Sequence, residues 1–241
     1  MRNEAERLAA ELPKGNRPKL FPFYQTLKSP GISFICEVKK ASPSKGVITE
    51  EFPYLEIAKE YEIAGASAIS CLTEPYYFQG KDMYLKEITQ HVTIPVLRKD
   101  FTIDPYMIYQ ARTLGASAIL LICSLLSQSE LEEHQAIATG LGMSALVEAH
   151  DEQEVEMALR AEASIIGVNN RDLKTFTVDI NNSARYRKMV PKEVSFVSES
   201  GIKTAEDIAK LLENGTDAVL IGETLMRSEN KKQALDELRG I

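Results

Sequence analysis

The sequence is poor in the residues that most often form disulfides and metal sites. It has no tryptophan, three histidines and three cysteines among 241 residues. Cys36, Cys71 and Cys123 each lie inside an apolar run, and no two of them have C-x-x-C spacing. A disulfide or a metal site is therefore poorly supported, and buried free thiols are the expectation for all three.

Positive charge and long apolar runs are also scarce. The net charge is −7 with a pI near 5.2, and Lys and Arg form no run, which argues against a nucleic-acid partner. An anionic ligand would have to be held by local groups. No apolar run is long enough to span a bilayer, and residues 1–12 lack the basic-then-apolar pattern of a signal peptide. We expect a cytoplasmic protein without a membrane partner, and the sequence is compatible with a monomer.

Short apolar runs alternate with amphipathic segments along most of the chain, which predicts alternating strands and helices. The predicted strands are 32–39, 67–73, 95–99, 117–123, 144–149, 164–169, 195–199 and 218–222. The predicted helices are 54–64, 81–90, 105–114, 128–140, 151–160, 180–189, 204–213 and 231–239. Gly65, Gly115 and Gly215 precede apolar runs in similar contexts, where glycine ends a helix with a left-handed turn.

A chain of 241 residues can form one α/β barrel or two small domains. Eight strand–helix units favour an α/β protein of the (β/α)8 TIM-barrel type over an open doubly wound sheet, and no G-x-G-x-x-G follows the first strand. Residues 1–31 are interpreted as a short N-terminal lead-in segment, with a helix over 3–12 followed by prolines that break regular structure. Residues 32–241 form the predicted barrel domain.

The strand ends, where such a barrel carries its active site, are charged. Strand one ends with Glu37 and Lys39, which face the same way because positions i and i+2 share one face of a strand. Strands three, five and seven end with Lys99, Glu148 and Glu199. Alternate strands contribute to the same internal layer, so these groups are expected to share one cup. There they should perturb one another's pKa values, which lets one site hold both a proton donor and a proton acceptor.

Other strand ends carry polar or small residues. Strand six ends with Asn169 and Arg171, and Ser200, Gly201 and Gly222 follow strands seven and eight. Barrels commonly bind phosphate through backbone N–H groups in the last two loops, and glycine lets the anion approach closely.

The remaining polar residues near strand ends are expected to have simpler roles. Ser42 is placed in the first loop to close the same pocket, and Asp151 and Thr204 are predicted helix N-caps. Glu148 points inward, so His150 is expected to have a loop or capping role. The two other histidines, His91 and His134, are expected to be solvated.

Six ordered motifs combine these residues: E-V-K-K-A-S-P-S-K-G at 37–46, L-R-K-D-F at 97–101, L-V-E-A at 146–149, G-V-N-N-R-D-L at 167–173, S-E-S-G-I at 198–202 and I-G-E-T-L-M at 221–226. Together they closely resemble the indole-3-glycerol-phosphate synthase family of tryptophan biosynthesis. The resemblance implies a (β/α)8 barrel that acts on a small phosphorylated substrate, 1-(2-carboxyphenylamino)-1-deoxyribulose 5-phosphate. It closes the ring with loss of carbon dioxide and water, without a metal or an organic cofactor.

The resemblance also implies roles for matching residues. Lys99 corresponds to the general acid that protonates the substrate carbonyl, and Glu148 to the carboxylate that stabilises the cationic intermediate and takes part in proton transfer. Glu37 and Lys39 correspond to the pair that binds the substrate carboxylate and acts in dehydration. The other matches hold this pair, the substrate or its phosphate: Asn169, Glu199, Ser42, Phe101, Arg171, Ser200, Gly201, Gly222 and Glu223.

Two departures from the family and two alternatives remain. Family members usually carry a longer N-terminal helical extension over the barrel mouth. Several have a small hydroxyl residue where Glu223 stands, so the backbone N–H of Glu223 is expected to contact the phosphate and its carboxylate to turn away from it.

The alternative functions are those of another phosphate-binding barrel, such as a phosphoribosyl-anthranilate isomerase, and of a barrel that binds a phosphorylated ligand without catalysis. The acids and bases at the strand ends favour the synthase.

Overall fold

Eight parallel strands close into a barrel. The computed structural model describes Arg7, Ala10 and residues 21–172 and 175–241. The barrel strands are β1 Ser33–Val38, β2 Ala68–Leu72, β3 Val96–Lys99, β4 Ala118–Ile122, β5 Ser144–Ala149, β6 Ile165–Asn169, β7 Ser195–Glu199 and β8 Ala218–Ile221. Each strand pairs in parallel with the next in sequence, and β8 closes the barrel against β1. The (β/α)8 prediction is confirmed, and every strand lies within one residue of its predicted bounds.

Helices follow every strand and cover the outside of the barrel, and one further short helix, α1, precedes β1. They are α1 Pro22–Leu27, α2 Tyr54–Ile63, α3 Asp82–His91, α4 Pro105–Thr113, α5 Gln128–Gly140, α6 Glu152–Arg160, α7 Asn181–Arg187, α8 Ala205–Glu213, α9 Glu223–Arg227 and α10 Lys231–Arg239. The predicted caps are confirmed, since Asp151 accepts from the backbone N–H of Glu154 and Thr204 from that of Asp207. The sequence did not predict α1 and α9. Among the described residues, no helix has the length and apolar character needed to cross a bilayer.

The short helix α1 corrects the prediction that prolines prevent regular structure before the first strand. Pro22 occupies the start of the helix, where its missing N–H removes no intrahelical hydrogen bond. Phe23 and Leu27 are fully buried against the apolar interior of the barrel. The helix predicted over 3–12 lies outside the described residues, apart from Arg7 and Ala10, which are helical. The boundary between lead-in segment and barrel stays a prediction.

The three glycines predicted to end helices do so with left-handed backbones, at φ +84° for Gly65, +91° for Gly115 and +86° for Gly215. Each is the residue at which the chain leaves a helix and turns toward the next strand. A side chain in this conformation would be strained, which explains why the same residue type recurs in three units.

The interior of the barrel changes from apolar to charged at its mouth. Ile35, Leu97, Leu146 and Val197 of the four odd strands belong to one buried apolar cluster. Two positions later along the same strands the side chains again point inward, and there they are charged. The residues at these positions are Glu37, Lys99, Glu148 and Glu199. The fold therefore forms the charged cup that the strand pattern predicted.

The outer core holds the cysteines. Cys36, Cys71 and Cys123 are buried free thiols, as predicted, and burial raises the pKa of Cys36 to about 12, which keeps it neutral. The prediction that His134 is solvated is wrong, because only 2% of this residue is exposed on the packed face of α5. Burial lowers its pKa, so it is a neutral core residue.

Candidate active site

A cavity of about 920 Å³ opens at the carboxyl ends of the strands. Every residue that the sequence singled out for the site lines it: Glu37, Lys39, Ser42, Lys99, Phe101, Glu148, Asn169, Arg171, Glu199, Ser200, Gly201, Gly222 and Glu223. The structure thus brings these residues together, while their individual roles stay predictions. No group of three or more His, Cys, Asp or Glu side chains in the described part of the chain is arranged to hold a metal ion.

Lys99 lies between two buried carboxylates. Its ammonium nitrogen is 2.9 Å from Glu148 Oε2 and 3.1 Å from Glu199 Oε2. Burial alone would lower the pKa of Lys99, but the neighbouring carboxylates outweigh it and raise the pKa above its ordinary value. Lys99 is therefore a protonated group at neutral pH, and its protons point at both acids.

The two carboxylates differ in charge state. Burial raises the pKa of Glu199 to about 7, although Lys99 acts in the opposite direction. Burial acts the same way on Glu148, but Lys99 and His150 outweigh it and hold the pKa of Glu148 well below its usual range. Asn169 also donates to Glu148 Oε1 at 3.0 Å. One site therefore combines a fixed carboxylate with a carboxyl group that can gain or lose a proton near neutral pH.

A glycine on the neighbouring strand makes room for Glu199. A β-carbon at Gly167 would lie 2.5 Å from Glu199 Oε1 and 3.1 Å from Leu146 Cδ1. Glu199 Oε1 is buried and has no hydrogen-bond partner. The carboxyl group thus occupies space that any side chain at 167 would fill, and its lack of a second partner favours the protonated form.

Glu37 and Lys39 form a second charged pair in the cup. Lys39 Nζ is 2.5 Å from Glu37 Oε1, as expected for side chains on one face of a strand. A β-carbon at Gly222 would lie 2.4 Å from Glu37 Oε1 and 2.9 Å from Lys39 Nζ. Gly222 was predicted as a phosphate contact, and the structure adds that this position must be small to accommodate the ion pair.

The loop after β7 is held by a buried amide that the sequence did not single out. Ser200 and Gly201 both have left-handed backbones, with φ +68° and +83°. The side chain of Asn170, only 1% exposed, donates to the Ser200 carbonyl and to Ser198 Oγ, both at 3.1 Å. It also accepts from the hydroxyl and backbone N–H of Ser183. Asn170 therefore supports the conformation that places Ser200 and Gly201 at the cavity.

Cationic side chains surround the same end of the cavity. Lys45, Lys203 and Arg227 line it together with the predicted Arg171. Glu223 Oε1 accepts from Arg227 Nε at 3.1 Å and lies 3.8 Å from Lys45 Nζ, so its charge is paired. An anion can thus be held locally in a protein of net charge −7.

The opposite wall is aromatic. The ring centroid of Phe101 lies 6.2 Å from that of Tyr77 and 6.1 Å from that of Phe78. Glu74 fixes this loop, because its carboxylate accepts from the backbone N–H groups of Tyr76, Tyr77 and Phe78. Sequence reasoning missed Tyr77 and Phe78, although an aromatic run in the loop after a strand is a usable signal. The cavity therefore has an aromatic side and a cationic side.

His150 is also closer to the chemistry than predicted. Its Nε2 atom lies 3.1 Å from Glu148 Oε1, and its Nδ1 atom lies 3.0 Å from Glu154 Oε2. The sequence predicted only a loop or capping role and missed the contact with Glu148. After the strand ends, a turn folds the chain back and brings the His150 ring against that carboxylate. The signal available in the sequence was Glu154, four residues later at the start of a helix.

The chain resembles known proteins in both sequence and fold. The indole-3-glycerol phosphate synthase family matches residues 2–238. The chain is 57% identical to the indole-3-glycerol phosphate synthase of Ruminiclostridium cellulolyticum, over 100% of this chain and 90% of that protein. It is 58% identical to the enzyme of the same name from Endomicrobium trichonymphae, over 93% of this chain and 87% of that protein.

Two solved structures share the fold at low sequence identity. Thiamine phosphate pyrophosphorylase from Pyrococcus furiosus aligns with a TM-score of 0.66 at 16% identity, over 90% of this chain and 96% of that one. A mutant tryptophan synthase α-subunit from the same organism aligns with a TM-score of 0.66 at 15% identity, over 87% and 98%. At these identities the likeness extends to the fold alone.

Proposed function

The chain belongs to the indole-3-glycerol phosphate synthase family, and we propose that it converts 1-(2-carboxyphenylamino)-1-deoxyribulose 5-phosphate into indole-3-glycerol phosphate, carbon dioxide and water. The observation that carries the proposal is the Lys99 ammonium held between Glu148 and Glu199 at the barrel mouth. The matched family is that of the synthase, which favours the synthase over the isomerase that the sequence left open.

Ring closure joins the aryl carbon that carries the carboxylate to the substrate carbonyl carbon. As this bond forms, the carbonyl oxygen gains electron density, and Lys99 gives it a proton to leave a hydroxyl group. The ring and its nitrogen become cationic, and the Glu148 carboxylate stabilises that charge. The substrate carboxylate then departs as carbon dioxide and returns its bonding electrons to the ring.

The raised pKa of Lys99 makes it a weak acid in the resting site, since efficient general acids have pKa values near the working pH. Glu199 offers a way to lower it. When Glu199 carries a proton, Lys99 loses one of its two anionic neighbours and releases its own proton more easily. Glu199 thus acts as a proton-holding partner that adjusts Lys99, in addition to contacting the substrate.

Dehydration needs a second acid and a base. An acidic side chain of the cup protonates the hydroxyl group, which leaves as water, and a basic side chain removes a proton from the new ring. Glu37 and Lys39 are a ready acid–base pair at the end of β1. Lys39 also offers a cation to the substrate carboxylate before decarboxylation, and Asn169 holds Glu148 in place between the two steps.

The two sides of the cavity match the two ends of the substrate. Phe101 and its aromatic neighbours take the carboxyphenyl ring, since stacked or edge-to-face rings attract one another. The phosphate lies at the cationic end against the backbone of Ser200, Gly201 and Gly222, with Ser42, Arg171 and the backbone of Glu223 nearby.

The cellular setting follows the same reasoning. The protein works in the cytoplasm on a small molecule, without a nucleic-acid or membrane partner and as a monomer. The acidic net charge supports the absence of a nucleic-acid partner, and three buried free thiols fit a reducing compartment.

Incubation of the purified protein with the carboxyphenylamino-deoxyribulose phosphate tests the proposal. We expect indole fluorescence to appear together with carbon dioxide. The same compound without its phosphate should react poorly, because the cationic end of the cavity then has no ligand. A protein that is folded by circular dichroism but forms no indole product would contradict the proposed activity.

Gly167→Ala tests whether the position of Glu199 matters. The added methyl group would lie 2.5 Å from Glu199 Oε1, so the carboxyl group must move. Because misplacement by about 1 Å can cost on the order of a hundredfold, we expect a turnover loss of that size. Gly140→Ala is the matched control, since nothing lies within 4 Å of its added carbon. A Gly167→Ala protein as active as the Gly140→Ala control would show that the Glu199 position is unimportant.

A further inference from the structure

His150 lies behind the Glu148 carboxylate and does not line the cavity. It follows β5, and its imidazole ring, whose side chain is 16% exposed, sits between two carboxylates. Nε2 lies 3.1 Å from Glu148 Oε1, and Nδ1 lies 3.0 Å from Glu154 Oε2. The backbone N–H of His150 also donates to Glu154 Oε2 at 2.8 Å. A hydrogen bond to Glu154 thus holds the ring at Nδ1, while Nε2 lies within ion-pair distance of Glu148 but makes no hydrogen bond, and the ring does not touch the space available to a ligand.

This arrangement selects the charged form of the ring. A neutral imidazole has one nitrogen without a proton, and that nitrogen would face a carboxylate oxygen with no proton between them. Only the imidazolium can donate to Glu154 from Nδ1 and also place positive charge beside Glu148 at Nε2, where the contact is an ion pair without a hydrogen bond. Burial alone would lower the pKa of His150, but the two carboxylates outweigh it and raise the pKa to about 10.

The charged groups around His150 are few among the described residues. Glu148 faces it from β5 and Glu154 from α6, while Lys99 and Glu199 lie beyond Glu148. Cys123, on the turn after β4, donates its thiol to the backbone carbonyl of Glu154 at 3.5 Å. Burial raises the pKa of Cys123 to about 12, so this thiol is neutral and adds no charge.

We propose that His150 is a positioning residue that, held as a cation by Glu154, keeps the Glu148 carboxylate fixed and ionised throughout the reaction. The inference rests on the proposed function, because it concerns the step in which Lys99 gives its proton to the substrate. At that moment Glu148 loses the charge of its nearest cation, 2.9 Å away. His150 then supplies the remaining positive charge beside Glu148.

The need for this second cation follows from the burial of Glu148. A carboxylate that is 3% exposed would take up a proton readily if Lys99 were neutralised and no second cation lay beside it. A protonated Glu148 could not stabilise a cationic intermediate. With His150 in place the carboxylate stays ionised, and the proton from Lys99 stays on the substrate.

Variants of His150 and Glu154 test the proposal through the pH dependence of turnover. His150→Gln should lower turnover by about ten- to a hundredfold across the pH range, as is usual when a supporting partner of a reactive group is removed. Glu154→Gln should leave the ring in contact with Glu148 but lower its pKa from about 10. Activity should then fall as pH rises through the lowered pKa of His150. The pH profile of the variant should therefore show an alkaline decrease that the parent lacks at that pH.

Glu156→Gln is the matched control. It removes an exposed carboxylate of the same helix, and this carboxylate pairs with Arg160. It should keep the parent's pH profile. A purely structural role for Glu154 would lower activity equally at every pH, and that outcome would overturn the proposal. So would a His150→Gln protein with parental turnover.

A titration of the histidine rings by NMR separates this inference from the proposed activity. The chain has three histidines, so single substitutions assign their signals. In the resting protein His150 should stay protonated up to about pH 9, and its titration should move to lower pH in Glu154→Gln. A neutral His150 at pH 7 would refute the inference even if the protein forms the indole product. An inactive parent with a charged His150 would refute the activity alone.

Discussion

Replacing Lys99 by methionine should lower the turnover number by on the order of 10²- to 10⁴-fold, and replacing it by arginine should cost nearly as much. This corresponds to roughly 3–5 kcal/mol of barrier. Methionine keeps much of the length of lysine but has no positive charge and no acidic proton to donate. Arginine keeps the charge between Glu148 and Glu199 but holds its proton too tightly to donate it near neutral pH.

The arginine variant decides between two roles of Lys99. If Lys99 only balances the neighbouring carboxylates, arginine should restore most of the activity that methionine loses. Steady-state kinetics with circular dichroism on both proteins makes the comparison. Lys192→Met, a change at an exposed lysine outside the cavity, should keep parental activity. An arginine variant within tenfold of the parent would remove the general-acid role.

Loss of Lys99 should leave the barrel folded. Lys99 lowers the pKa of Glu199, so its removal raises that pKa further and favours the protonated carboxyl group. Glu148 keeps contacts to Asn169 and His150 in the same variant. The buried acids therefore retain ways to avoid two uncompensated negative charges, and the activity loss can be measured on a native fold.

The charged cup was predictable because two simple periodicities determine it. Strand side chains alternate between faces, so an inward apolar residue such as Ile35 predicts that Glu37 also points inward. In a barrel the odd strands contribute to common layers, so Lys99, Glu148 and Glu199 follow from the same reasoning. Local sequence spacing carries all of this information.

Contacts between strands were not predictable in this way. The space for Glu199 comes from Gly167 on the adjacent strand, and the space for Glu37 comes from Gly222 at the far end of the chain. In the sequence each glycine resembles an ordinary turn or strand residue. Only the register between strands shows that a carboxylate packs against it. The difference in pKa between Glu148 and Glu199 depends on burial and on the positions of Lys99 and His150, so it also emerges only from the folded geometry.

Short elements and loop returns were missed for a related reason. Helix α9 spans Glu223–Arg227, too few residues to show helical periodicity, and α1 begins at a proline. His150 and Asn170 follow strands that point toward the mouth, and their side chains turn back against neighbouring elements. Such contacts depend on loop conformation, which strand and helix patterns do not determine.

Glu148→Gln should lower turnover by roughly a hundredfold or more while the Michaelis constant changes little, because the lost charge acts on the cationic intermediate. The change also alters hydrogen bonding. Glu148 faces Lys99 with one oxygen and Asn169 with the other, whereas glutamine offers only one oxygen. An amide NH₂ must then face a donor, which costs about 1–3 kcal/mol of stability in a buried site.

The melting temperature separates lost stability from the lost charge of Glu148. If packing explains the defect, activity should recover on cooling well below the melting temperature of the variant; if the charge is needed, turnover should stay low in a fully folded protein. Glu193→Gln, which removes an exposed carboxylate outside the cavity, is the control and should behave as the parent does. A folded Glu148→Gln protein with near-normal turnover would remove Glu148 from the mechanism, and with it the reason for a charged His150.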